Sequence, residues 1–387
     1  YNTTGTQNTA VGGYAVLSNT TGNYNTAGGY VALDANTTGT QNTAVGRASL
    51  STNISGESNT AVGYKALDQN TASLNTAVGS QALEQNTTGT NNAALGEGAL
   101  KANTTGSHNT GLGKDALEAN TTASYNVAVG DFAMNSNTTG QSNTAVGSHA
   151  LSANTTGTNN TALGRYALFA NTTASYITAV GTGCMEANTS GANNTALGYG
   201  ALDANTTGAE NTAIGNYSLD ASNASYNVAM GHNAGGKITT GTQNVFVGRS
   251  ANKEGTTCND CVAIGDRAGD GNTGNQNTFV GGRAGSSGGN GGGDMNVGIG
   301  FWALYGAGTA DADYNVAIGA YCMENNTGGH NNNAVGYEAL SAVTTASSST
   351  AFGSYALSTN TTAAVSYTHL RAHETDSYLV CRLLLEK

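Results

Sequence analysis

Short bursts of alternating apolar and polar residues recur along almost the whole chain, with a period of seventeen residues. The unit reads Asn-Thr-Ala-Val-Gly, as in Asn42-Thr43-Ala44-Val45-Gly46 and Asn59-Thr60-Ala61-Val62-Gly63, and Ala-Leu follows three residues after the glycine. With this Asn as position zero, starts fall at intervals of 17 from residue 8 to residue 349, shortened to 16 after residues 59, 211 and 261 and lengthened to 19 after 277 and 296. Every length change lies between the Ala-Leu pair and the next Asn. The stretch from Asn to Leu is therefore the ordered element, and Asn-Thr-Thr-Gly is the loop.

Position +3 is almost always a large aliphatic residue (Val62, Leu95, Ile214), +2 is Ala, and +1 is Thr or Val. Strand alternation puts +1 and +3 on one face and the small Ala on the other. Frequent replacement of Thr by Val at +1 (Val127, Val228, Val245) reads as an inward position. Gly at +4 ends the strand with a turn that other residues resist. Ala-Leu at +7 and +8 supplies a second apolar segment, and Asn at +11 opens the loop by bonding local backbone.

Seventeen residues hold two short strands and two turns but not two helices, and Gly and Asn are poor helix formers. Fixed short repeats stack. The expectation is an all-β parallel β-solenoid of about seventeen residues per coil, one repeat domain over 1–364 with enlarged Gly-rich loops around 285–310. At one strand spacing per coil its rise would total on the order of 100 Å, with like residues stacked in ladders.

Composition sharpens this picture. The 387 residues include 56 Gly and no Pro, as a continuous hydrogen-bonded ladder requires. Only 10% are charged and 38% are hydrophobic, so the core is thin and distributed. A net charge of −11 argues against nucleic acid and anionic membranes as partners, and no apolar run is long enough to span a bilayer. The chain opens mid-repeat at Tyr1 without a signal peptide, which reads as a fragment. From Val365 the repeat gives way to Ser366-Tyr367-Thr368-His369-Leu370-Arg371-Ala372-His373, a segment resembling translated sequencing adapter. Residues 365–387 are accordingly read as a non-native tail.

Asn-Thr-Ala-Ile-Gly at 211–215, Cys-Val-Ala-Ile-Gly at 261–265 and Asn-Val-Ala-Ile-Gly at 315–319, with Gly-x-x-Ala at Gly265–Ala268, resemble the head repeats of YadA-like trimeric autotransporter adhesins. They are also similar to repeat shafts of phage tail fibres and spikes. The resemblance covers residues 8–357. It implies a left-handed β-roll, a homotrimer, an extracellular, cell-surface or virion-surface location, and host surface, extracellular matrix or glycan as ligand. The departure is the added Asn-Thr-Thr-Gly loop.

Candidate chemistry is sparse. Acidic residues recur at +9 (Asp34, Asp68, Glu84, Glu118, Glu186, Asp203, Asp220, Glu324), either a stripe for cations or basic partners or simply a solvated face. Tyr24, Leu74, Tyr125, Tyr176 and Tyr226 precede position zero in every third coil, as a duplicated cassette or as an aromatic row for stacking on sugars. Cys258-Asn259-Asp260-Cys261 lacks further zinc ligands and suggests a local disulfide or two buried thiols. Cys184 and Cys322 occupy the +7 core slot. Gly288-Gly289-Asn290-Gly291-Gly292-Gly293-Asp294 is an enlarged loop or a lone calcium-type motif. Asn-x-Ser/Thr sequons at +11, from Asn19 to Asn205, are either turns or glycan acceptors. His108, His149, His232 and His330 sit at unrelated repeat positions. No catalytic, cofactor or metal residues are assigned, and no enzyme activity is expected. An adhesive or structural fibre is the leading reading, with a Thr-rich ice- or crystal-surface binder as the alternative.

Overall fold

The computed structural model describes residues 2–286, 291–306 and 312–362. The 365–387 tail, with Cys381, His369 and His373, lies outside them, as do residues 288–290 of the Gly-rich motif and part of the loop region around 285–310. The fold is an all-β parallel β-solenoid with twenty-one strands and about seventeen residues per coil. It divides into two compact units, Tyr1–Asp260 and Cys261–Lys387. In the first, consecutive strands from β1 (Thr9–Val11) to β15 (Val245–Val247) pair in parallel. In the second, β16 (Val262–Ile264) to β21 (Thr350–Phe352) do the same. Register is strict: Thr43 opposes Thr60, Ala44 opposes Ala61 and Val45 opposes Val62.

Each coil has one strand, of three residues, rather than the two expected. The Ala-Leu segment still pairs coil to coil: Leu50 N–H donates to Ala66 O (2.9 Å), and Lys65 N–H to Arg47 O (3.0 Å). Its φ angles alternate in sign, however, so it curls as a turn. Positions +6, +8 and the residue before each Asn are left-handed in every coil, and where they are not Gly their φ lies between 42° and 64°. Even the buried Leu67 has φ 53°. Such a conformation costs on the order of 1 kcal/mol or more per residue and persists only where the surroundings over-determine it. Here the inter-coil hydrogen bonds do so.

The strand faces the opposite way to the expectation at +1. Ala at +2 points inward and is fully buried, as at Ala44, Ala61 and Ala128, whereas no +1 or +3 side chain is buried. The interior is narrow, and Ala at +2, Ala at +7 and Leu at +8 fill it. Two swaps reveal its volume. Phe246 replaces Ala at +2 where Gly235 replaces Leu at +8, and a Cβ on Gly235 would sit 2.8 Å from the Phe246 ring. Gly235 belongs to the coil before Phe246, whereas in the second unit Phe279 pairs with Gly285 of its own coil, at 2.3 Å. A large side chain fits at one position or the other, not both.

The corners are held by buried asparagine. The backbone N–H of Asn126 donates to Asn109 Oδ1 (3.0 Å), its Nδ2 to Gly140 O (2.9 Å), and its own Oδ1 accepts from Asn143 N–H (2.9 Å). The +11 residues form a second column: Asn36 Nδ2 donates to Asn19 Oδ1 (2.8 Å) and to Gly39 O (3.1 Å). Thr at +12 adds a third, with Thr104 Oγ1 donating to Thr121 O (3.0 Å). Fully satisfied amides of this kind are tolerated at zero exposure. Glycine at +4 allows the coils to approach. At Gly130 φ is 130°, and a Cβ would lie 2.7 Å from the Gly147 carbonyl.

Candidate interaction surfaces

Because the strand turns its +2 residue inward, its outer face carries two columns. Position +3 presents aliphatics, exposed by 68% at Val11, 49% at Leu95 and 45% at Leu163. Position +1 presents Thr or Val beside them. The columns run through β1 to β15 in the first unit and through β16 to β21 in the second. An apolar strip of this extent is unusual on an isolated soluble chain.

The acidic +9 residues do not form an open stripe. Lys65 Nζ binds Glu84 (2.9 Å) and approaches Asp68 (3.9 Å), Gln81 donates to Glu84 (3.0 Å), Ser51 bonds Asp68, and Asn135 donates to Glu118 (3.0 Å). Glu186 and Asp203 line a depression with Phe169. Partial burial raises the carboxyl pKa of Asp34, Asp203, Asp220 and Glu324, and Asp203 pushes Asp220 further in the same direction. Among the described residues no group of three or more His, Cys, Asp or Glu is placed to hold a metal.

The cysteines correct the disulfide alternative: Cys184, Cys258, Cys261 and Cys322 are buried thiols, not joined in a disulfide. Asn252 Nδ2 donates to Cys258 Sγ (2.9 Å), and Cys261 Sγ donates to Gly274 O (3.2 Å). Burial pushes the Cys184 and Cys322 thiols up to about 12, so neither is a nucleophile at neutral pH. Asp294 of the Gly-rich motif accepts from Asn275 N–H (2.6 Å), which gives it a ladder role.

The sequon asparagines are the +11 column itself. Asn103 Nδ2 donates to Asn86 Oδ1 (2.7 Å) and to Gly106 O (3.0 Å), leaving no hydrogen for a glycan linkage and no exposed surface. Asn53 Oδ1 and Asn205 Oδ1 are the two members of this run left unpartnered. After Asn53 comes a sixteen-residue coil whose Asn70 turns to Ala72 O instead (2.8 Å), and after Asn205 the column residue is Ser222.

The three-coil row stands in solvent, with Tyr24, Leu74, Tyr125, Tyr176 and Tyr226 exposed by 55–64%. Tyr125 stacks on His108 at 5.0 Å, with the two rings nearly parallel. A second aromatic row escapes the sequence reading. At +5 and +6 of the second unit, Phe301 meets Tyr321 (5.6 Å), Tyr321 meets Tyr337 (6.0 Å) and Tyr337 meets Tyr355 (5.3 Å). Trp302 stacks on Tyr305 (4.1 Å) beneath Arg283 (5.5 Å). Its signal was available in Phe301-Trp302, Tyr321, Tyr337 and Tyr355, which share two adjacent repeat positions in four successive coils.

No protein-family profile and no curated protein matches the chain. Its surfaces therefore carry the functional argument by themselves. Among the described residues no helix is long and apolar enough to cross a membrane.

Proposed function

We propose that this protein is a structural and adhesive fibre that works by binding rather than catalysis, assembled side by side with copies of itself at a cell or virion surface. One observation carries the reading: the aliphatic +3 column faces outward in coil after coil. A surface repeating at every coil rise, roughly 4.8 Å, is matched along its whole length only by a surface with the same repeat. A second and third copy of the chain supply that match, in keeping with the likeness to trimeric adhesin heads. Burying the column would convert exposed apolar area into association free energy, and the uncovered edges and loops would offer many weak contacts that add by avidity. Sedimentation of the full chain tests this: an elongated trimer is expected, and a stable monomer at micromolar concentration would sink it.

A second reading draws on the +1 column. Its Thr side chains point outward, as at Thr144, Thr161 and Thr178, all exposed. Spaced regularly on a narrow strand face, they suit an ordered crystal surface such as ice. Thermal hysteresis from the monomer would favour this over the fibre.

A further inference from the structure

We propose that the aromatic edge of the second unit, at Phe301, Trp302, Tyr321, Tyr337 and Tyr355, binds an extended neutral β-linked glucan. The inference deepens the adhesive reading by naming its ligand, and rests on it to that extent.

Three features converge. Phe301, Tyr337 and Tyr355 are 49%, 41% and 49% exposed, so apolar rings line an edge open to solvent. With Tyr321 they occupy four successive coils and span three coil rises, roughly 14 Å. A ribbon-like chain of pyranose rings, with apolar faces presented at a repeat close to one coil rise, can lie along such a line. A compact ligand would touch only one or two rings. Successive rings meet edge to face, so a chain lying along them meets ring faces and ring edges in turn.

Polar groups stand where sugar hydroxyls need them. Glu338 is hydrogen-bonded with the Tyr337 hydroxyl and pushes that phenol up to about 12. Trp302 Nε1–H is buried without an acceptor among the described residues. The carboxylates of Glu338 and Glu324 outnumber the Arg283 cation over Trp302, and so favour a neutral chain over an anionic polysaccharide. The edge follows the glycine turn and is separate from the strand face, so glycan binding and self-assembly use different residues.

The chain contains a single tryptophan, so Trp302 reports directly on the site. Titrating the full chain with cellohexaose should give a saturable change in tryptophan fluorescence. Native gels containing hydroxyethylcellulose should retard it, and gels containing alginate should not. Phe301 and Tyr337 have ordinary φ, so Phe301→Ala with Tyr337→Ala removes two rings without disturbing a left-handed position. This variant should bind about tenfold more weakly or worse. Tyr125→Ala with Tyr176→Ala, on the other row, should bind normally. An unresponsive Trp302 in the unaltered chain, equal retardation by alginate, or full binding by the folded double variant would each overturn the proposal. Sedimentation of the same samples separates the readings: a trimer that ignores glucan sinks only this inference.

Discussion

The outer strand face and the inner corners of each coil invert the usual distribution of side chains. Val45, Leu95 and Leu163 stand in solvent, while Asn42, Asn92 and Asn160 are buried. The difference lies in geometry rather than polarity. At a corner, an amide has a donor and an acceptor above and below it at the coil spacing, so burial leaves nothing unpaired. On the strand, the inward slot is so shallow that Ala fills it and branched residues must point out. On the strand face the branched hydrophobic side chains thus mark the surface, and at the corners polar ones join Ala and Leu in the interior.

The sharpest way to break the framework is Gly130→Ala. A Cβ 2.7 Å from the Gly147 carbonyl, on a backbone with φ of 130°, forces the coils apart. Limited proteolysis should find new cleavage near residues 130–147. Phe246→Ala should come next, at about 4 kcal/mol, because it leaves a ring-sized void beside Gly235. Combined with Gly235→Leu it should recover to within about 1.5 kcal/mol by denaturation, since the pair restores the usual residues at these two touching positions of successive coils. Failure of that rescue would refute the exchange of volume between +2 and +8.

Asn126→Ala should cost about 3 kcal/mol, because Asn143 N–H and Gly140 O lose their partners together. Val129→Asn, three residues away on the outer face, should change the stability of the unit by less than about 0.5 kcal/mol. The same substitution, extended to Leu95 and Leu112, should abolish self-association in sedimentation. If Asn126→Ala proves as mild as Val129→Asn in denaturation, the inversion has no energetic meaning.

The smallest effect concerns protons. Folding raises the pKa of Asp203 and Asp220 through burial, so the folded state holds those protons more tightly than the unfolded chain. Their contribution favours folding most at pH values where both states are protonated, and it is lost as pH rises through the folded values. Acidification through the carboxylate range should therefore raise the melting temperature slightly, and Asp203→Asn should flatten that dependence.

Much of this was legible in the sequence. The period, the parallel stack and the loop position followed from where insertions fall between Leu and the next Asn. The outward face was not legible, because Thr-Val replacement at +1 looks the same whether a position faces a core or a partner. The decisive signal was the small residue itself. Ala or Gly holds +2 throughout except at Phe246 and Phe279, and each of those lies near a Gly at +8. That coupling marks +2 as the packed position. Asn at +11 reads as a turn former, since loop asparagines usually are, and Asn at +0 only as the start of the ordered segment. Only the neighbouring coil supplies the partners that make them interior.

The +11 column also fixes where the first unit would yield to a pulling force. The column breaks once between Asn53 and Asn70, and from Asn70 to Asn205 each coil is clipped to the next by a buried amide, but Ser222, Ile238 and Gly255 then occupy that column in succession. Along a stack loaded in tension, the coils beyond Asn205 hold by one fewer bond each. They would open as a local fuse, sparing the rest.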